Sequence, residues 1–151
     1  MGFTARSRLA GILFCLGVAP GYAQETAPIE PRSGNIQIIR NPRETVIVFS
    51  GVEPLDKKGS LVALGDLTGQ MKQAVENLRR LAFRAGALPS HIVTITVFTP
   101  ETGSAEALKK IPREIFNDWN PATVIEVRQL RIPGALVEIE AVAIVRGAKL
   151  R

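Results

Sequence analysis

Apolar residues recur along this chain with two different periods, and the switches between those periods lay out its elements. The clearest period-two stretch lies near the end. Within residues 136–145, Val137, Ile139, Ala141, Ala143 and Val145 fall on one face of a strand. Leu136, Glu138, Glu140, Val142 and Ile144 fall on the other. Apolar residues on both faces predict two covers, the chain's own helices on one side and a second subunit on the other. Glu138 and Glu140 then stand in an otherwise apolar wall. A β-branched run from residue 121 precedes this strand, and Arg131-Ile132-Pro133-Gly134 separates the two. Pro and Gly at that break predict an antiparallel hairpin.

Residues 45–52 (TVIVFSGV) and 91–99 (HIVTITVFT) also read as strands. Residues 35–39 make a shorter one, joined to the next by the turn residues Asn41-Pro42-Arg43-Glu44, and residues 61–64 a further short one. Helical spacing replaces period two at Leu67, Met71, Ala74, Val75, Leu78, Leu81, Ala82 and Ala85. Asp66 is the expected N-cap of that helix. Gly86 followed by Leu88 predicts a Schellman stop with its hydrophobic contact. A second helix is expected within residues 101–119, with Leu108, Ile111, Ile115 and Trp119 on one stripe and Pro112 interrupting it. The sum is an α+β domain: one mixed six-stranded sheet with two helices on one face.

The N-terminus falls outside this pattern. Arg6 and Arg8 precede an apolar run at residues 9–19, and the small residues Gly21 and Ala23 follow. That is the layout of a secretory signal cut after Ala23, and the run is short for a membrane span. The expected organisation is a signal peptide over residues 1–23, a flexible leader over 24–34 with its prolines, and one domain over 35–151. The expected location is periplasmic or secreted, with no membrane attachment after cleavage.

Charge and composition narrow the chemistry. Removing Arg6 and Arg8 lowers the formal net charge of +5 by two, leaving a mildly basic chain without a Lys/Arg block. Aromatics make up 5% of residues, too few for a base-stacking platform, so nucleic acid is not an expected partner. The one cysteine, Cys15, lies inside the signal segment, and the one histidine, His91, starts a strand without a second imidazole or thiol nearby in sequence. No metal site is expected, and no cofactor. Phosphate loops, nucleophile elbows and HExxH are absent from the sequence.

Several segments, in order, resemble the RidA/YjgF family. They are Phe49-Ser50-Gly51, a helix with Gln70 and Val75-Glu76-Asn77-Leu78, then Ala85-Gly86. The strand at residues 92–98, Ile125-Glu126-Val127, and the run from Leu136 to Ala143 complete the set. The resemblance implies a chorismate-mutase-like fold assembled as a homotrimeric barrel, with a small-molecule ligand in each cleft between subunits. It also implies hydrolysis of reactive 2-enamine or 2-imine acids to 2-keto acids and ammonia. Carried over residue by residue, Glu138 takes the place of the water-handling glutamate, and Ser50 and Gly51 that of the backbone groups of the cleft. The place of the family's carboxylate-binding arginine, counted back from Glu126, holds Ala122. Arginine holds a carboxylate through two parallel bonds, so its loss implies weakened or altered activity. Arg128 is the nearest substitute in sequence. Two plainer readings stand beside these: Arg128 as a cross-strand partner of Glu138 or Glu140, and Glu138 as the partner of an interface arginine. A non-catalytic trimer that binds a small metabolite, or serves as a scaffold, is the alternative to the hydrolase.

Overall fold

The strands Ala23–Ala27 (β1), Asn35–Arg40 (β2), Glu44–Val52 (β3), Ile92–Thr99 (β4), Thr123–Glu126 (β5) and Glu138–Arg146 (β6) form one sheet in the order β1-β2-β3-β6-β4-β5. They come from a computed structural model that describes residues 23–27, 34–100 and 123–147. Neighbours run antiparallel except β4 and β5, which are parallel. The mixed sheet and one long helix, Leu67–Arg84 (α1), make an α+β fold. The expected signal segment up to residue 22 and the expected second helix lie outside the described residues.

β2 and β3 turn on Asn41, whose Oδ1 accepts from the backbone N–H groups of Arg43 and Glu44, each at 2.9 Å. Helix α1 starts where Asp66 Oδ1 accepts from the Gly69 N–H at 3.0 Å. It ends in a Schellman motif, with Ala87 N–H donating to Ala82 O at 2.8 Å and Gly86 N–H to Phe83 O at 3.1 Å. The apolar residue that accompanies this stop is Ala87, which is buried, whereas Leu88 is exposed. Met71, Ala74, Val75, Leu78, Leu81 and Ala82 of the helix share one core with Ile47 and Phe49 of β3, Ile95 and Val97 of β4, and Ile139 and Ala141 of β6.

Three expectations need correction. β5 and β6 do not form a hairpin, because β4 lies between them. The connection over residues 127–137 is long enough to step over one strand, about 10 Å at two strand spacings, and the central place goes to the most apolar partners. Residues 61–64 make no strand; Leu61 forms only an isolated bridge with Leu55. Part of the expected leader is ordered as β1, paired with β2 from Ala23↔Arg40 to Ala27↔Ile36. Backbone pairing at a sheet edge needs no apolar periodicity, which is why the sequence pattern does not show it.

The face of the sheet away from α1 has no cover from the described residues. Val46, Val48, Val142 and Ile144 are half-buried there, at the centre of the sheet.

Two buried amides of α1 tie the helix to loops at the end of the sheet. Gln70 Nε2 donates to Gly134 O at 3.1 Å and Ala63 O at 3.3 Å, and its Oε1 accepts from the Leu136 N–H at 2.7 Å. About two turns further on, Asn77 Nδ2 donates to Glu53 O at 2.7 Å and Leu55 O at 2.9 Å. Its Oδ1 accepts from Gln73 Nε2 and from Arg80. Gly134 completes the first tie: its φ of +82 is a backbone conformation that side-chain-bearing residues rarely adopt, so glycine suits the turn there. Asn77→Ala leaves two buried carbonyls without their donor and is expected to destabilise the fold by about 1–3 kcal/mol. Urea unfolding measures this, and a change below about 0.5 kcal/mol, the scale of a neutral surface substitution, would contradict the role.

Candidate functional site

The loop that Asn77 holds begins at a break in β3. Between the pairs Phe49↔Ala141 and Val52↔Ile139, β3 has one more residue than β6, so Ser50 and Gly51 bulge opposite Glu140. Gly51 has φ +62 with nothing within 4 Å of an added Cβ, so the demand there is conformational rather than steric. Ser50 is half-buried. On the other side of β6, Glu140 pairs with Thr96 and Glu138 with Phe98. Glu138 is therefore placed at the start of β6, on the face that α1 leaves uncovered, and it is half-buried.

Glu53 follows the bulge and is only 1% exposed. Its Oε2 accepts from Arg131 Nη2 at 2.5 Å, while Oε1 is buried with no hydrogen-bond partner among the described residues. The Arg131 side chain is 64% exposed. One edge of the guanidinium is thus anchored from beneath while much of it faces outward. Residue 131 lies in the loop that Gln70 ties down at Gly134 and Leu136, and the Ala135 N–H donates to Ile132 O at 3.0 Å to close that loop's turn.

Charge couples these groups. Burial raises the Glu53 carboxyl above the ordinary glutamate value; Arg131 opposes the rise, and the neighbouring Glu138 adds to it. Burial likewise raises Glu138, with Glu140 adding and Arg131 opposing. Glu53, Arg131 and Glu138 form one electrostatic unit in which a single guanidinium serves two carboxyls. Such a unit can take up and release a proton at Glu138 and can pair with an anion at Arg131.

The residues singled out from sequence divide accordingly. Ser50, Gly51 and Glu138 come together around the bulge at the end of β3 and β6. Arg128 is exposed beyond the end of β5 and, among the described residues, has no ion pair with Glu138 or Glu140; the guanidinium acting on Glu138 is that of Arg131. Ala122 lies outside the described residues. His91 caps the turn at Pro89–His91 by accepting the Leu88 N–H on Nδ1 at 2.9 Å. Among the described residues no group of three His, Cys, Asp or Glu side chains could hold a metal ion. Sequence reasoning missed Glu53 and Arg131. The only signal for Glu53 was its place between Val52 and Pro54, where a charged residue is hemmed in by apolar ones.

Residues 26–145 match the family described as Endoribonuclease L-PSP. A RutC family protein from Pyrococcus abyssi is 29% identical over 117 residues, which cover 77% of this chain and 87% of that protein. The 3-aminoacrylate deaminase RutC of Acinetobacter baylyi is 26% identical over 100 residues, or 66% of this chain and 79% of the relative. Among solved structures, the Rid-family protein YyfA of Yersinia pestis superposes with a TM-score of 0.61 at 30% identity, covering 79% of this chain and 91% of that one. The matched region spans β2 to β5, all but the last residue of β6, α1 and every residue of the charged unit, and the chain belongs to the Endoribonuclease L-PSP family, the group of YjgF, RidA and the other Rid proteins.

Proposed function

We propose that the protein hydrolyses reactive 2-imino and 2-enamino acids to 2-keto acids and ammonia. The observation that carries this reading is Glu138, a half-buried carboxyl raised above its ordinary value beside a cation, on an open face of the sheet. The Acinetobacter baylyi relative, named for the deamination of an enamine acid, supports the same class of substrate.

The chemistry asks for one group that moves protons. Water adds to C2 of the iminium, Glu138 accepts a proton from that water, and the C=N electrons settle on the nitrogen. In the resulting carbinolamine Glu138 gives its proton to the nitrogen and takes up the hydroxyl proton; the C–N bond breaks, the C=O bond forms, ammonia leaves, and Glu138 releases its proton to solvent. A carboxyl raised towards neutral pH suits both directions of transfer. With Ala122 in the place of the family's arginine, capture of the substrate carboxylate follows an altered geometry.

Assembly as a homotrimer belongs to the same proposal. Val46, Val48, Val142 and Ile144 make an apolar sheet centre that a second subunit would cover, and a cleft between subunits would then enclose Glu138. Export, with the domain released into the periplasm or medium, follows from Arg6, Arg8 and the apolar run behind them. The protein needs no nucleic-acid partner for this role.

Imines generated from neutral amino acids by an amino-acid oxidase provide the assay. Keto-acid release is expected to accelerate with the protein present, and Glu138→Gln to lower the rate about 100-fold or more, the reach of general acid–base catalysis. Only ionised Glu138 accepts the proton from water, so the rate should fall as pH drops through its raised folded value, above the ordinary glutamate range. Unchanged turnover in Glu138→Gln would remove its role. Binding of pyruvate without any turnover would favour the alternative that Ala122 suggests, a non-catalytic metabolite-binding trimer. Protein recovered from the envelope fraction should sediment as a trimer with its N-terminus near Gln24; a full-length monomer would contradict both export and assembly.

A further inference from the structure

We infer that Arg131, held from beneath by the buried Glu53, is the group that recognises the ligand's carboxylate, so that the site takes a zwitterionic, amino-acid-derived 2-imino acid. The inference rests on the hydrolase reading for the identity of the substrate, but its support is the geometry of this pair.

A guanidinium has five N–H donors in a planar fork. Here Nη2 is used by Glu53 at 2.5 Å, and the side chain is 64% exposed, so further donors of the fork face outward. A buried carboxylate is a costly way to hold a surface arginine. Glu53 is 1% exposed, and its second oxygen is buried without a partner among the described residues. Were Arg131 a surface charge alone, an apolar residue at 53 would remove that cost. What Glu53 provides is direction: it fixes one edge of the fork and so sets where the other donors point. The loop itself is pinned on both flanks of the site. Asn77 clamps Glu53 through its carbonyl, and Gln70 clamps Gly134 and Leu136 between Arg131 and Glu138.

The charges select the ligand. Among the described residues Glu53, Glu138 and Glu140 outnumber the one guanidinium, so a cationic nitrogen beside Glu138 adds to what a carboxylate gains on Arg131 alone. A molecule with a carboxylate at one end and a protonated nitrogen at the other places each on a complementary group: the carboxylate on Arg131, the iminium nitrogen near Glu138. That is the charge pattern of a 2-iminium acid. Arg128, exposed and past the end of β5, has no anchor of this kind among the described residues.

The test uses the full mature chain with pyruvate and its uncharged counterpart pyruvamide as probes, measured by calorimetry beside the imine assay. Wild type should bind pyruvate at least about tenfold more tightly than pyruvamide. Arg131→Gln should abolish that preference, a loss of about 10- to 100-fold for pyruvate alone, the range of a hydrogen bond to a charged group. Because Arg131→Gln strands Glu53 without its partner, Glu53→Gln with Arg131→Gln provides a second form; it should fold and should also show no preference. Glu53→Gln alone, with the arginine kept but unanchored, should raise KM for the imine more than it lowers kcat. A wild type that hydrolyses imines yet binds the two probes equally would overturn the assignment while leaving the hydrolase intact. Loss of the preference in Arg128→Gln, with Arg131→Gln unaffected, would overturn it as well. A wild type that neither hydrolyses imines nor binds pyruvate would sink both readings.

Discussion

The burial of one carboxyl, that of Glu53, is the constraint around which this end of the molecule is arranged. Taking a carboxylate out of water is unfavourable by several kcal/mol unless a cation and hydrogen bonds compensate. Among the described residues a single contact compensates it, from Arg131, and the second oxygen has no hydrogen-bond partner. Everything nearby fixes that contact in place. Asn77 on α1 holds the Glu53 and Leu55 carbonyls, and Gln70 on the same helix holds the far loop by Gly134 and Leu136. Helix α1 is thus more than one layer of the core. Its two buried amides set the spacing between the loop of Glu53 and the loop of Arg131, and so between Arg131 and Glu138.

How much of this was legible in the sequence depends on how local each signal is. Helix α1 follows from its apolar stripe, from Asp66 and from Gly86, all of which act within a few residues. The strands at Glu44–Val52, Ile92–Thr99 and Glu138–Arg146 follow from β-branched runs, and the two-faced pattern of the last one marks it as central. The hairpin expectation failed because local turn chemistry at Pro133-Gly134 says that the chain bends, not which strand it meets next. Insertion of β4 between β5 and β6 is a long-range choice made by core packing. Glu53 and Arg131 escaped for a related reason. A buried glutamate and a loop arginine 78 positions apart carry no periodicity, and only the fold brings them together. The family resemblance pointed to Glu138, Ser50 and Gly51, which the fold does gather around the β3 bulge.

The charged unit stands on the frame that the family fold supplies. Two raised carboxyls share one guanidinium, so the protonation of Glu138 is linked to whatever Arg131 binds. A ligand carboxylate that engages Arg131 draws its charge away from Glu138 and favours the protonated form there. A cationic nitrogen next to Glu138 does the reverse. The proposed imino acid would bring both influences at once, so that its binding would leave the site's own net charge little changed. On this account the ligand carboxylate is met by Arg131, an arginine that arrives from the β5–β6 connection.

A crystal structure of the protein with pyruvate bound tests that account most directly. The account predicts the ligand carboxylate on the outward donors of Arg131, at hydrogen-bond distance of about 2.7–2.9 Å, with Glu53 still paired behind and the C2 carbon turned towards Glu138. Pyruvate seated away from Arg131, or an Arg131 that leaves Glu53 without engaging the ligand, would contradict it.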